Sequence, residues 1–279
     1  LASPYRAKRS WCAVPSLLGT PVKYSRQTIT HPPLGKPPVR FHLRTLGRIE
    51  LLSEDGERLP ARRKELVLLT YVARAGDGGV RRDVLAAHFW SESTEANARN
   101  SLRQVVLRLR RVLGEAIEAD AERVAVRPEA IQIDADAFEA AAAAGRPIEA
   151  AELWEGDFLP AAEDTGGEVV RAWIESERAR LRQRLDAVLE QLMGEAESRG
   201  AWSEAIHWAE RRAREFPLEE RPLVRWVEIL LASGRVDEAR AVHSGFVARW
   251  TGELEHAPPP SVVQLGERLQ QERAPAEPV

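Results

Sequence analysis

The stretch STEANARNSLRQVVLRLRRVLG, residues 93–114, decides how this sequence is interpreted. It predicts one amphipathic helix, because its apolar residues recur three and four positions apart and therefore share one face. Those residues are Leu102, Val105, Val106, Leu109, Val112 and Leu113. The opposite face carries Asn97, Asn100, Gln104, Arg108 and Arg111, with Arg103 on its flank.

The polar face of this helix carries the residue types that read DNA. Asn and Gln make paired hydrogen bonds to adenine in the major groove, and Arg makes them to guanine. A helix that buries one face and offers amides and guanidinium groups on the other is suited to lie in such a groove. The alternative is an ordinary solvated surface helix, because arginine-rich amphipathic helices are common.

The sequence before this helix predicts strands followed by two shorter helices. Apolar alternation predicts strands at 40–46 and 48–52 and a third at 57–59, and the period then changes to that of helices at 61–75 and 82–89. A polar loop, residues 91–95, leads into the long helix.

The sequence after the long helix predicts a β-hairpin. Val124 and Val126 alternate with other residues, Arg127-Pro128-Glu129 forms a turn, and Ile131 and Ile133 alternate again. Strands, three helices and a hairpin in this order are typical of a winged helix, here predicted over residues 40–135. The hairpin is then the wing. Arg123 and Arg127 either reach backbone phosphate or the minor groove from it, or remain solvated.

From Asp136 onward the sequence is nearly all helical. Periodicity predicts short helices at 140–144 and 150–154 and a long one from Val169 to about Gly200. Two segments then match at an offset of 34 residues: Gly200–Ala205 with Gly234–Ala239, and Phe216 with Trp250. That period is typical of tetratricopeptide (TPR) helix pairs. The sequence predicts a TPR-like bundle over 136–272, which either binds proteins or serves only packing and dimerisation.

Charge is distributed unevenly along the 279 residues, a length typical of two domains. Net charge is +6 over residues 1–39, +4 over 40–127 and −13 over 128–279. Residues 1–39 are rich in Pro, Ser and Thr and predict a disordered basic arm or extension, and 273–279 predict a disordered tail. A basic front half can approach phosphate, whereas the acidic back half is expected to face proteins or solvent.

Motifs for catalysis or metal binding are missing from the sequence. The single cysteine, Cys12, excludes an internal disulfide and cysteine-rich zinc sites, and the six histidines are scattered. No HExxH and no nucleophile elbow occurs. The sequence therefore predicts no enzyme activity, no catalytic or metal-binding residues and no cofactor. It has no membrane-span pattern or signal peptide, which predicts a cytoplasmic protein.

The order of these pieces resembles the SARP family of bacterial transcriptional activators, which joins an OmpR-type winged helix to a bacterial transcriptional activator domain. The resemblance covers about residues 40–270. In the front half it rests on LGRIEL at 46–51, RRKELVLLTYVA from Arg62, VLAAHFW at 84–90 and NARNSLRQVVLRLRRVLG from Asn97. In the back half it rests on LWEGDFLP at 153–160, WIESERARLRQRL at 173–185, the two repeat units and ELEHAPPPSVVQL at 253–265.

The resemblance implies binding to double-stranded promoter DNA at direct repeats, head-to-tail homodimers and recruitment of RNA polymerase. It implies that the third helix enters the major groove, with Asn100, Arg103, Gln104 and Arg108 exposed. The loop that contacts polymerase in the family is here Ser91, Glu92, Ser93, Thr94 and Glu95. Two features depart from the family. Arg127-Pro128 stands where many members carry a glycine-rich wing tip, and Leu107 falls on the exposed side, which fits either a thymine-methyl contact or a subunit contact.

The sequence thus predicts a mainly α protein with small β-sheets, a winged helix-turn-helix domain followed by a TPR-like bundle. The predicted function is a sequence-specific DNA-binding transcriptional activator. The alternative is a TPR-like interaction scaffold with a degenerate winged helix. A third possibility is a regulator truncated from a larger sensor.

Overall fold

The structure is a computed structural model that describes residues 40–76, 78–127, 129–254 and 257–271. The arm predicted at 1–39, with Cys12, and the tail predicted at 273–279 lie outside the described residues, as does Pro128. Helices dominate the described part of the chain, and two three-stranded sheets accompany them. The prediction of a mainly α fold with small β-sheets is confirmed.

The first sheet joins the start of the predicted winged helix to its end. Strand β1 (Phe41–Arg44) pairs antiparallel with β2 (Glu50–Ser53), and its other edge pairs in parallel with β6 (Ile131–Ile133). Leu43 lies opposite Ile133 in this register, and both side chains are buried. Alternation of apolar residues along each strand supplies the buried face of the sheet.

The second sheet corrects the predicted wing. Strand β4 (Ile117–Ala119) pairs antiparallel with β5 (Arg123–Val126), and β3 (Val80–Arg81) pairs with the other edge of β5. The predicted hairpin between Val124–Val126 and Ile131–Ile133 is therefore wrong. Ile131 and Ile133 instead pair with Phe41 and Leu43 of β1.

A local turn explains why β4 and not β6 is the partner of β5. The carboxylate of Asp120 accepts the backbone N–H groups of Glu122 and Arg123, each at 2.7 Å, and so closes a tight turn directly after β4. Ile117 and Val124 then bury their side chains on the same side of the hairpin. The wing tip is consequently residues 120–122, not 127–129.

Three helices lie between the strands, as the periodicity predicts. They are α1 (Arg63–Arg74), α2 (Arg82–Phe89) and α3 (Glu95–Leu113). Their apolar faces meet in a core that includes Leu66, Leu69, Leu85, Phe89 and Leu102, each at most 4% exposed. Thr94 caps α3, and its side chain accepts the N–H of Asn97 at 3.4 Å.

The rest of the described chain is a helical bundle. Its helices are α4 (Asp134–Ala143), α5 (Pro147–Leu153), α6 (Glu168–Ser198), α7 (Trp202–Glu215), α8 (Glu220–Ala232), α9 (Val236–Leu254) and α10 (Pro260–Gln271). Helices α7 and α9 begin 34 residues apart, at the predicted repeat. Ala205 and Ala239 occupy matching positions in the two repeats, and both are fully buried. A small side chain at this position allows the paired helices to approach closely.

A carboxylate joins the winged helix to the bundle. Asp134, the first residue of α4, follows β6 directly and accepts the backbone N–H groups of Thr45 at 2.8 Å and Leu46 at 3.0 Å, together with the Thr45 hydroxyl. Burial raises the pKa of this carboxyl group, and the hydrogen bonds act against that rise. The end of β1 is therefore held by the first turn of the bundle.

A buried arginine makes a second link between the two parts. Arg74, in the last turn of α1, is 10% exposed and forms ion pairs with Asp136 and Glu139 of α4 and with Glu177 of α6. Close to it, the rings of Tyr71 and Trp173 meet edge to face with centroids 4.9 Å apart. Helix α1 is thus fixed to two helices of the bundle at once.

We predict that Arg74→Ala lowers the free energy of unfolding by about 2 kcal/mol, because Asp136 loses its ion-pair partner while Glu139 and Glu177 keep only Arg180. Urea denaturation followed by circular dichroism measures the loss. Arg214→Ala is the matched control, since Arg214 makes only a surface i,i+4 pair with Glu210 and should cost less than about 0.5 kcal/mol. Equal losses in the two variants would contradict the role given to Arg74.

Candidate nucleic-acid interface

Helix α3 has one buried and one exposed face. Its buried side chains are Ala98, Leu102, Val105, Val106, Leu109 and Leu113, and Val112 is half-buried. The predicted polar residues Asn97, Asn100, Arg103, Gln104 and Arg111 are all exposed. Six apolar anchors on one side leave the helix no freedom to turn this polar face inward.

The exposed polar side chains of α3 are unpartnered within the described part of the chain. No hydrogen bond or ion pair there engages the side chains of Asn97, Asn100, Arg103, Gln104, Arg110 or Arg111. In contrast, Arg99 of the same helix pairs with Glu95 one turn earlier. Unpaired amide and guanidinium donors on one rigid helix face can bind an external ligand without first breaking internal contacts.

Arg108 differs from the other predicted contact residues. It is half-buried and forms an ion pair with the carboxylate of Glu65 in α1, whose side chain is only 5% exposed. The second oxygen of Glu65 accepts the backbone N–H of Arg62 at 2.9 Å, which caps α1. The structure thus places Arg108 in a contact that joins α3 to α1.

The wing is acidic at its tip. Residues 120–122 are Asp-Ala-Glu and all three are exposed. Hydrogen bonds from the backbone of Arg123 and Glu122 lower the pKa of Asp120 below its ordinary value. Such a tip repels a phosphate backbone.

The two predicted wing arginines are engaged within the protein. The guanidinium group of Arg123 donates to the carbonyl oxygen of Gly78. Arg127 lies at the base of the hairpin, where it pairs with Glu115 and Glu118 at 3.3 and 3.2 Å.

A groove of about 1060 Å³ separates α3 from the wing. Its cationic lining residues are Arg81, Arg82, Arg99, Arg103, Arg110 and Arg123, and its anionic ones are Asp83, Asp120 and Glu122. Arg110 is not among the DNA-contact residues predicted from the sequence. Its position seven residues after Arg103 places both on the same flank of the helix, and that spacing was the available signal.

The α2–α3 loop, which we predicted as a polymerase contact, is exposed from Ser91 to Glu95. Glu95 is already the first residue of α3. The bundle contacts the end of α2, directly before the loop, because the N–H of Gly167 donates to the carbonyl oxygen of His88 at 2.7 Å. A Cβ atom at Gly167 would lie 2.6 Å from the Ser91 hydroxyl and 3.0 Å from the backbone oxygen of His88, so a larger residue would have to displace both groups.

No group of three or more His, Cys, Asp or Glu residues in the described ranges is placed to hold a metal ion. Of the helices described, none is long and apolar enough to cross a bilayer.

Comparison with known families assigns the chain. The sequence model of the bacterial transcriptional activator domain matches residues 119–270, which is more than half of the 279 residues. The chain belongs to this family. The sequence resemblance to the SARP activators is therefore confirmed, and the chain carries the bacterial transcriptional activator domain. This family is a class of regulators and not a class of enzymes.

One solved structure supports the fold of the activator. The structure of Mycobacterium tuberculosis EmbR, in complex with a low-affinity phosphopeptide, matches with a TM-score of 0.57 and 22% sequence identity. The match covers 84% of this chain and 66% of the EmbR chain, so the activator spans about two thirds of the length of that protein. At this identity the likeness supports the fold alone. Comparison with curated proteins gives no match.

The matched region of the activator begins at Ala119 in the wing and ends within α10. It therefore includes β5 and β6 as well as the bundle. The boundary that we predict from composition lies later, between residues 135 and 136, and it remains a prediction.

We predict that Arg108→Ala lowers the free energy of unfolding of the activator by about 1 kcal/mol, because Glu65 is left buried without its cation. Arg111→Ala provides the control on the same helix, since Arg111 has no partner among the described residues, and it should change stability by less than about 0.5 kcal/mol. Chemical denaturation of both variants decides the point. A larger loss for Arg111→Ala would contradict the assignment of Arg108 to the fold.

Proposed function

We propose that this SARP-type activator binds promoter DNA in a sequence-specific manner by placing α3 in the major groove, and that it recruits RNA polymerase to that promoter. The observation that carries the proposal is the exposed face of α3. Six amide and guanidinium side chains lie there without a partner among the described residues, on a helix whose other face is fixed in the core.

Base recognition is assigned to the N-terminal half of α3. Recognition helices of this class present their N-terminal residues to base edges. Asn100 and Gln104 lie one turn apart on the centre of the exposed face, and Arg103 flanks them toward the wing. Amides that pair with adenine and a guanidinium group that pairs with guanine are thus presented together.

Phosphate binding is assigned to arginines further along α3. Arg110 and Arg111 are exposed, lie more than one turn after Arg103, and have no anionic partner in the described part of the chain. Contacts of this kind fix the position of a protein on the duplex without reading sequence. The basic arm at 1–39 is predicted to add nonspecific attraction to phosphate.

Polymerase recruitment is assigned to the α2–α3 loop, residues 91–95. The loop is exposed and is supported by the start of α6, so a partner bound there contacts a surface tied to both parts of the activator. We further propose that two copies bind adjacent promoter repeats as a head-to-tail homodimer in the cytoplasm. We also propose that the DNA-binding part spans residues 40–135 and the activator bundle residues 136–272.

A protein-interaction scaffold is the second candidate. It is favoured by a groove of about 460 Å³ between α7, α8 and α9, whose apolar lining includes Phe216, Leu223, Trp226 and Phe246. A scaffold alone, however, gives no reason for the unpartnered polar face of α3. The two functions are compatible in one molecule, and only the DNA function accounts for the polar face of α3.

The first test compares Arg103→Ala with wild type on a promoter sequence selected from genomic DNA. We expect specific binding to weaken by about 1–3 kcal/mol, the range for one bidentate base contact. Binding to scrambled DNA should change much less. Fluorescence anisotropy at several salt concentrations measures both, and wild-type affinity should fall steeply with added salt.

Val263→Ala serves as the control for this test, because Val263 is exposed on α10, far along the chain from α3. An equal loss on specific and scrambled DNA would make Arg103 a phosphate contact. Wild-type affinity that does not respond to salt would contradict the docking of α3.

The wing generates a separate prediction. Glu122→Lys replaces an exposed anion at the tip by a cation, and we expect DNA binding to tighten by about three- to tenfold at low salt, with the gain lost at high salt. Glu267→Lys, on the exposed surface of α10, makes the same charge change away from α3 and should have a much smaller effect. Weaker binding by Glu122→Lys would mean that the acidic tip itself makes a favourable contact.

A further inference from the structure

One apolar side chain interrupts the polar face of α3. Leu107 is 43% exposed, and it is the only large apolar residue of α3 that is exposed in the described structure. A helical period of 3.6 residues puts it in one row with Asn100, Gln104 and Arg111, at the centre of the exposed face. It also lines the groove between α3 and the wing, together with Arg103.

The position of Leu107 does not serve the core. The six buried residues of α3 lie on the opposite side of the helix, and it is these residues that pack into the core. Helix α3 carries five arginines and a single acidic residue, so its exposed face is strongly polar around Leu107. An exposed leucine in such surroundings exposes apolar surface to water until a ligand covers it.

The major groove offers one apolar group on its base edges, the C5-methyl group of thymine. Resting on the proposed function, we infer that Leu107 reads a thymine by contact with this methyl group. Leu107 therefore adds an apolar specificity contact to the amide and guanidinium contacts beside it. The occupant is a thymine base and not a second protein subunit.

Helix geometry limits where this thymine lies. Leu107 follows Gln104 by three residues and Arg103 by four, which is about 4.5 to 6 Å along the helix axis. Base pairs are stacked about 3.4 Å apart. The thymine is therefore expected within about two base pairs of the position whose base preference is lost in Arg103→Ala.

The test replaces each thymine of the selected promoter sequence by uracil, which lacks only the methyl group. Wild type should bind about fourfold more weakly at one thymine per site, the factor that corresponds to burial of one methyl group. Leu107→Ala should bind the thymine site about fourfold more weakly than wild type and should not distinguish thymine from uracil there. Val263→Ala, an exposed apolar residue on another helix, should keep the full discrimination.

Three results would overturn the inference. If wild type binds uracil and thymine equally at every position, the protein makes no contact with a thymine methyl group. If Leu107→Ala still discriminates between thymine and uracil as wild type does, another residue makes the methyl contact. Leu107→Ala that binds fewer protein copies per DNA, with discrimination intact, makes Leu107 a subunit contact. Each result leaves the proposed function standing, whereas failure of wild type to prefer any sequence overturns that function as well.

Discussion

The burial of one face of α3 is the constraint on which the account depends. Leu102, Val105 and Leu109 are each at most 4% exposed, and each fully buried side chain of this kind stabilises the fold by about 1.5–3 kcal/mol. Turning the helix would bring several of these side chains into water. The polar face is therefore directed outward by the core, and its amides and guanidinium groups need no conformational change to reach a ligand.

The attachment of the bundle to the winged helix adds a second constraint. The carboxylate of Asp134 holds the end of β1, and Arg74 holds the end of α1 to α4 and α6. The close approach of Gly167 to His88 holds the loop just before α3. Because most of these contacts are partly buried, they fix the end of β1 and helix α1 to the bundle. Under the proposed function, a partner bound to the bundle would therefore be positioned relative to the promoter.

Features that depend on local periodicity could be predicted from the sequence. The amphipathic pattern of α3, the helices before it and the 34-residue repeat all rest on spacings within one or two turns. The pairing of β6 could not be predicted in this way, because its partner β1 lies about 90 residues earlier and strand pairing leaves no local signal. The choice of wing strand failed for a different reason. A three-residue β4 has too little alternation to be recognised, and its turn depends on hydrogen bonds to Asp120.

The candidate site was only partly predictable. Residue type and helical spacing place Asn100, Gln104 and Arg103 on the exposed face, as the structure has them. They do not reveal that Arg108 is held by Glu65, a residue 43 positions earlier in the sequence. Partners that are distant in sequence determine which arginines are free to bind a ligand. Only the three-dimensional structure reveals those partners.

Photo-crosslinking shows directly whether α3 contacts the bases of bound DNA. A photoreactive amino acid placed at Asn100 of the full chain, or at Glu267 of α10, is irradiated with the selected promoter DNA. We predict base-specific crosslinks from position 100 at one place in each binding site and none from position 267. Crosslinks from the bundle position, with none from α3 on DNA that the protein binds specifically, would contradict it.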